Sequence, residues 1–448
     1  MQTAPKISNS QRPLIEQRNV PCARVEALLL EMETSIADRE LLNLFRNCYP
    51  NTLDTSASLS DSSNPADAFI ITGDINAMWL RDAPAQIHPY LPFINESLEL
   101  KQLFIGTINR MMECIELDPY ANAFYRETTK VGEWQKDHTH MQPGVHERKW
   151  ELDSLCYFLR LSADLYDQAG AVDCFNRRWL KTLERILRIF RTQQSFPNEY
   201  TFSRDCRTAT ETLQLNGLGT PSKACGLIRS AFRPSDDACT LPFHIPSNCM
   251  AATMLDRVAL ICEKIYQATP LAASCRQIAS EIRSALSKHA IIEHRKYGEV
   301  YAYEVDGYGG HILMDDANVP SLLALPYLGF CSTEDPIYKN TRALILSEDN
   351  PYFFKQNDFE GIGSPHTGLG QIWPMSIILR AMTSTDSKEI RHCLDLLKRS
   401  HADTGFMHES FSAENPAIFT RSWFCWANGL FGELILKLNK SYPECLQV

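Results

Sequence analysis

Apolar positions recur at helical spacing along most of the chain. Val25, Leu28, Leu29 and Met32, then Leu41, Leu42, Leu44 and Phe45, keep that spacing from Ala23 to Cys48. Leu100, Phe104, Ile108, Met111 and Ile115 do the same after Glu96, as do Leu152, Leu155, Cys156, Phe158 and Leu159 after Trp150. The pattern predicts about twelve helices, near 24–47, 80–91, 96–117, 150–168, 171–193, 246–267, 272–289, 317–327, 335–347, 366–382, 387–400 and 421–440. One stretch, Tyr297 to Met314, alternates instead and predicts a β-hairpin turning at Asp306-Gly307.

The helices come in pairs, with long polar connections over 51–67, 122–144 and 194–235. No repeat of fixed period runs through them, which argues against a helical-repeat array. The expectation is a mainly α chain: a 1–22 N-terminal extension, then one (α/α)6 toroid over 23–448, its long loops and short β-hairpin lining one end.

Composition narrows the partners. The 448 residues are 44% hydrophobic and 22% charged, with a net charge of -10, which argues against a nucleic-acid partner. No apolar run is long enough to span a membrane, and the first residues carry no apolar secretory core. The 15 cysteines are scattered without a CxxC pair, the usage of reduced, buried thiols; a cytoplasmic location is expected.

Candidate chemistry gathers in a few stretches. ITGDINAMWLRDAPAQIHPY, Ile71 to Tyr90, joins Asp74, Trp79, Arg81 and Asp82, a stacking face beside a charged clamp as a sugar ring requires. Asp82 reads as a helix N-cap, with Pro84 in the first turn. Arg233-Pro234-Ser235-Asp236-Asp237 sets two acids side by side; one, Asp237, fits an N-cap and leaves the other free. A carboxyl beside a like charge between apolar walls keeps its proton to higher pH, as a general acid must. Glu409 stands among Phe406, Met407, His408 and Phe411, where an acid needs a reason such as activating water. Asp315-Asp316-Ala317-Asn318 opens a predicted helix, and His366 and Trp373 sit in or beside a Gly/Pro-rich loop. Glu147, Arg148, Glu151 and Asp153 crowd a helix start, where acids suit the dipole. There is no HExxH, no zinc-spaced Cys/His quartet, no GxSxG and no dinucleotide or phosphate loop, so no cofactor or metal is expected. Acid pairs, tryptophans and Arg/Asp clamps without a cofactor fingerprint point to carbohydrate hydrolysis by two carboxyl groups.

GDINAMWLRD, ERKWELDSLCY, FRPSDDA, LMDDANVPSLL, GIGSPHTGLGQIWP and GFMHESF together resemble the glycoside hydrolase family 125 exo-α-1,6-mannosidases, in order from about Ile70 to Leu436. The resemblance implies an (α/α)6 toroid and metal-independent, inverting release of terminal α-1,6-linked mannose from a glycan or oligosaccharide. By similarity Asp236, with Asp237 as second choice, is the general acid and Glu409 the general base. Trp79, Arg81, Asp82, Arg233, Asp315, Asp316, His366 and Trp373 are then expected to bind the sugar. His146 and Arg229 stand where the family tends to carry aromatics, which would alter the leaving-group side. The rivals are another toroid glycosidase or a phosphorylase, and a non-catalytic mannoside-binding protein. Glu409 argues against phosphorolysis, and the presence of both carboxyls argues against a mere binder.

Overall fold

Burial separates the helices into two sets. Helix α5 (Leu152–Ala169) is buried on every side from Leu152 to Leu165, and α8 (Ile245–Lys264) from Ile245 to Leu255. Helices α6 (Arg177–Gln194) and α12 (Ser387–Ser400) bury only a stripe, Ile390, Cys393, Leu394, Leu396 and Leu397 in the latter. All-round burial marks an inner helix and a stripe marks an outer one.

The structure, a computed structural model, describes residues 10–60, 66–195, 200–206 and 208–447. Residues 1–9 of the expected extension, 61–65 of the Ser-rich connection, and 196–199 and 207 lie outside them. The remaining α-helices are α1 (Ala23–Ser35), α2 (Arg39–Cys48), α3 (Asp82–Ile87), α4 (Leu98–Leu117), α7 (Gln214–Gly217, a single turn), α9 (Thr269–His289), α10 (Pro336–Ile345), α11 (Pro374–Met382) and α13 (Cys425–Ser441).

Helices α3, α5 and α8 pack in that order, α11 packs on α13, and α13 packs on α3. Outer helices α4, α6, α9, α12 and α2 back them, with α2 packing on both α12 and α13. The N-terminal outer helix thus closes the ring against the last inner one. Residues 317–330 fill the inner position between α8 and α11. Tyr157 of α5 donates to Val319 O (3.1 Å), and Tyr327 donates to Glu433 of α13 (3.0 Å). The chain folds as the (α/α)6 toroid.

Several predicted elements are corrected. Segment 317–327 is a series of turns, because Pro320 and Pro326 interrupt any helical ladder. The first helix breaks at Ile36–Asp38, where the Asp38 carboxylate accepts from Glu40 N and Leu41 N and starts a second helix. The predicted hairpin is two: Ile291–His294 pairs with Gly298–Tyr301, and Glu304–Val305 pairs with His311–Ile312 across Asp306-Gly307. Asp82 is the first residue of α3 rather than its cap, and no side chain caps this helix. The helix expected from 366 starts at Pro374, after a strand at Gln371–Ile372.

The N-terminal ends of α3, α5, α8, α11 and α13 converge at one end of the ring, so their dipoles place partial positive charge there. The other end holds a cavity of about 800 Å³, lined by His88, Arg160, Arg257, Met382 and Glu433. Its charges are tied to one another: His88 Nδ1 lies 3.1 Å from Glu433, and Arg257 Nη1 2.7 Å from Asp164. All fifteen cysteines are free thiols, and among the described residues no helix is long and apolar enough to cross a membrane.

Candidate active site

A cavity of about 390 Å³ opens where the inner helices begin. Trp79, Arg81, Asp82, Asp236, His366, Trp373 and Glu409 line it. They come from four separate stretches that the sequence singled out, brought together by ring closure. Asp74, Trp134, His146, Glu147, Lys149, Arg204, Asn318, Arg421 and Trp426 complete much of the wall.

Asp236 sits at the tip of a tight turn. Phe232 and Ala238 bridge antiparallel, Arg233 N donates to Asp237 O (2.7 Å) and Asp236 N donates to Arg233 O (2.9 Å). Asp236 has φ +67°, the left-handed region, in the position such hairpin loops usually give to glycine. Aspartate tolerates it better than most residues, at a cost of about 1–3 kcal/mol. Arg81 Nη2 donates to its Oδ1 at 2.9 Å and Asn122 Nδ2 lies 3.4 Å from the same atom. Burial disfavours the Asp236 charge, but Arg81, Lys149, a hydrogen bond from Glu151 and His366 outweigh it and hold the carboxyl below the usual range, the reverse of the raised value expected from its acidic neighbour.

Glu409 stands on another loop. Arg421 Nε donates to its Oε1 at 3.1 Å, and Arg421 also pairs with Asp74. Its Oε2 makes no hydrogen bond among the described residues. His366 lies 3.5 Å from Asp237 Oδ1. Burial opposes its charge, yet Asp237, Asp236 and Glu409 raise it to about 9, so the ring is cationic at neutral pH. Burial, partly offset by Arg81, lifts Asp82 to about 7. Trp79 Nε1 and Asp82 Oδ2 are buried polar atoms without a hydrogen-bond partner among the described residues. Both line the cavity, where sugar hydroxyls would complete them.

Four of the expected site residues do not line it. Arg233 donates through Nε to Glu304 Oε1 at 2.6 Å, both buried, and anchors the turn that carries Asp236. Asp237 is buried beneath His366 and accepts from Ser235 Oγ (3.3 Å). Neither acid caps a helix, since α8 starts only at Ile245. Asp315 accepts from Leu322 N (2.8 Å) and Leu323 N (2.9 Å), and so holds the turns that replace the predicted helix. Asp316 accepts from Asn318 Nδ2 (3.0 Å) and Ser364 Oγ (2.9 Å), fixing one wall residue and the loop of His366.

His146 does line the cavity, sharing a 2.8 Å hydrogen bond with Tyr125 Oη, its ring edge-on to Trp79. Arg229 does not; its guanidinium donates to Ser222 Oγ (3.4 Å) and to Ser195 O, while its carbonyl accepts from Trp150 Nε1 (2.8 Å). The sequence reading missed Arg421, which orients Glu409, and Trp134, stacked 3.7 Å from the Arg204 guanidinium. It also took Glu147 and Glu151 for dipole partners of a helix. Instead Glu151 Oε2 accepts from Arg81 Nη1 at 2.5 Å, and Glu147 lies 3.3 Å from Lys149.

Among the described residues no group of three or more His, Cys, Asp or Glu side chains could hold a metal ion. The family model of the metal-independent α-mannosidases, GH125, matches residues 38–436. The chain is 43% identical over 458 residues to the meiotically up-regulated gene 157 protein of Schizosaccharomyces pombe, covering 98% of this chain and 90% of that one. It is 37% identical to a metal-independent α-mannosidase of Streptococcus pneumoniae solved in a non-productive complex with α-1,6-mannobiose; the match has a TM-score of 0.91 and covers 94% of this chain and all of that one. A bacterial glucoamylase complexed with acarbose shares the fold at 11% identity and a TM-score of 0.57, over 92% of this chain and 57% of its own. The chain belongs to glycoside hydrolase family 125, the metal-independent α-mannosidases.

Proposed function

We propose that this α-mannosidase is an inverting exo-enzyme for terminal α-1,6-linked mannose, with Asp236 as general acid and Glu409 as general base. The observation that carries the reading is the placement of two differently held carboxyls on one cavity. Asp236 is gripped by Arg81 and Asn122 at one wall, while Glu409 takes only Arg421 and keeps Oε2 for water. In the reaction Asp236 gives a proton to the glycosidic oxygen as the C1–O bond breaks. Glu409 removes a proton from the water that attacks C1 from the opposite face. Asp82, His366 and Asn318 hold mannose hydroxyls, and Trp79 and Trp373 form apolar walls for the ring. The cavity is closed below by the packed inner helices, which suits a chain end rather than the middle of a polymer. The mannobiose complex of the similar pneumococcal protein supports the linkage.

Proton NMR of α-1,6-mannobiose hydrolysis in the presence of EDTA tests this. β-Mannose is expected first, at a rate EDTA leaves unchanged. Glu409→Gln and Asp236→Asn are each expected to lower kcat by about 10²–10⁴-fold. Early α-mannose, or full activity in either variant, would overturn the assignment.

A further inference from the structure

Arg81 faces more carboxyls than one cation neutralises. Its Nη1 donates to Glu151 Oε2 at 2.5 Å and its Nη2 to Asp236 Oδ1 at 2.9 Å. Asp82 Oδ2 lies 3.4 Å from its Nε and Asp153 Oδ2 3.6 Å from Nη1. The other nearby cations act on Asp236 only at longer range and make their ion pairs elsewhere. Lys149 pairs with Glu147 and Glu211, Arg204 with Asp137, Glu147 and Glu211, and His366 with Asp237.

Asn122 Nδ2 lies 3.2 Å from Glu151 Oε1 and 3.4 Å from Asp236 Oδ1, so the two carboxyls share an amide as well as a guanidinium. Glu151 is fully buried and does not line the cavity; it meets the cavity wall through Arg81 and Asp236. Two carboxyls held this way cannot both ionise cheaply, and one shared proton is the low-energy state. Burial, then the charges of Asp236 and Asp153 acting against that of Arg81, push Glu151 well above the carboxylate range, opposite to Asp236. The resting proton therefore lies on the Glu151 side, whereas the general acid must deliver it from Asp236.

We propose that Glu151 is a positioning residue that stores the proton Asp236 delivers. The inference rests on the reading of Asp236 as general acid. In the step, the Glu151 O–H breaks as an Asp236 O–H forms. Asp236 passes a proton to the leaving oxygen, which takes the C1–O electron pair. Water bonds to C1 and yields its proton to Glu409. The pair ends doubly ionised beside Arg81, and the proton on Glu409 returns to it through solvent.

The test compares wild type, Glu151→Gln and Glu151→Asp on α-1,6-mannobiose and on dinitrophenyl α-mannoside, whose leaving group needs no proton, between about pH 4 and 9. In wild type the shared proton leaves a doubly charged pair, whereas in Glu151→Gln the Asp236 carboxyl ionises beside Arg81 and Lys149 with no second carboxylate to repel it, and so more readily. The alkaline limb of kcat for mannobiose is therefore expected to move to lower pH by about one unit or more in Glu151→Gln. KM is expected to stay within about twofold, and the loss on the dinitrophenyl substrate to be at least about tenfold smaller than on mannobiose. Glu151→Asp, which keeps the charge but withdraws it from Asp236, is expected to shift the limb in the same direction by less. If Glu151→Gln does not fold, the limb of Glu151→Asp decides. An unmoved limb with equal losses on both substrates overturns the inference and leaves Asp236 as the acid. A wild type inert on both substrates overturns the functional reading and this inference with it.

Discussion

Arg233 sits in the same five-residue motif as Asp236, yet its side chain points to Glu304 and never reaches the cavity. Removing one member of a buried ion pair strands the other, at a cost of about 3–5 kcal/mol. Arg233→Ala is therefore expected to lower the unfolding free energy by that amount, read from the denaturant transition. The double variant Arg233→Met with Glu304→Gln, which keeps an acceptor for Thr240 N and Leu241 N, should recover part of it. A lone Arg233→Ala as stable as wild type would refute the anchoring role. Such residues explain what was legible at this scale. Trp79, Arg81, Asp82, Asp236, His366, Trp373 and Glu409 could be picked out because stacking faces and unexplained acids are visible as residue types. Asp315 and Asp316 were picked for the same reason, but a carboxylate bound to backbone amides reads in sequence like one bound to hydroxyls. Glu151 was hidden because its partner, Arg81, is 70 residues away in the chain, and its own neighbourhood looks like an acidic helix start.

At the level of elements, helices with a long continuous apolar pattern were placed within a residue or two, α4 and α5 among them. Errors fell where local chemistry overrides periodicity: Asp38 capping within a continuous apolar pattern, and two prolines in 317–327. The paired, ring-closed arrangement of helices was legible, but close contacts between particular elements were not. Gly106, in the middle of α4, looks like a helix weakness, which alanine should improve by about 1 kcal/mol. A Cβ there would meet Ala68 N at 2.7 Å, backbone of the strand Ala68–Ile70. Gly106→Ala is expected to destabilise by about 1–3 kcal/mol, because strand and helix must separate. Thermal unfolding decides it; a stabilised variant would show that the contact relaxes without strain.

For the whole molecule, the two ends of the ring divide the work: helix N-termini face the cavity lined by Asp236 and Glu409, and a cross-linked charge cluster occupies the other end. His88 belongs to that cluster. Burial opposes its charge, but Glu433 and Asp164 outweigh burial and the Arg160 charge, raising it to about 9. The folded chain therefore holds a proton that the unfolded chain loses near 6.5. This stability is fully present below about pH 6.5 and is lost as pH rises through about 9. His366, also raised to about 9, acts in the same direction. The melting temperature is expected to fall by several degrees between about pH 6.5 and 9, and His88→Gln should remove part of that slope; parallel profiles would exclude His88 as a source. The ring closure also has a consequence in time. The ring shuts where Asn428 Nδ2 of α13 donates to Asn51 Oδ1 beside α2, at 3.0 Å and 377 residues apart in sequence. During synthesis, α2 and α3 emerge early but must wait for α13 before their apolar flanks are covered. A nascent chain stalled before α13 is an open crescent with two sticky edges, the form in which chaperone capture or aggregation competes with folding.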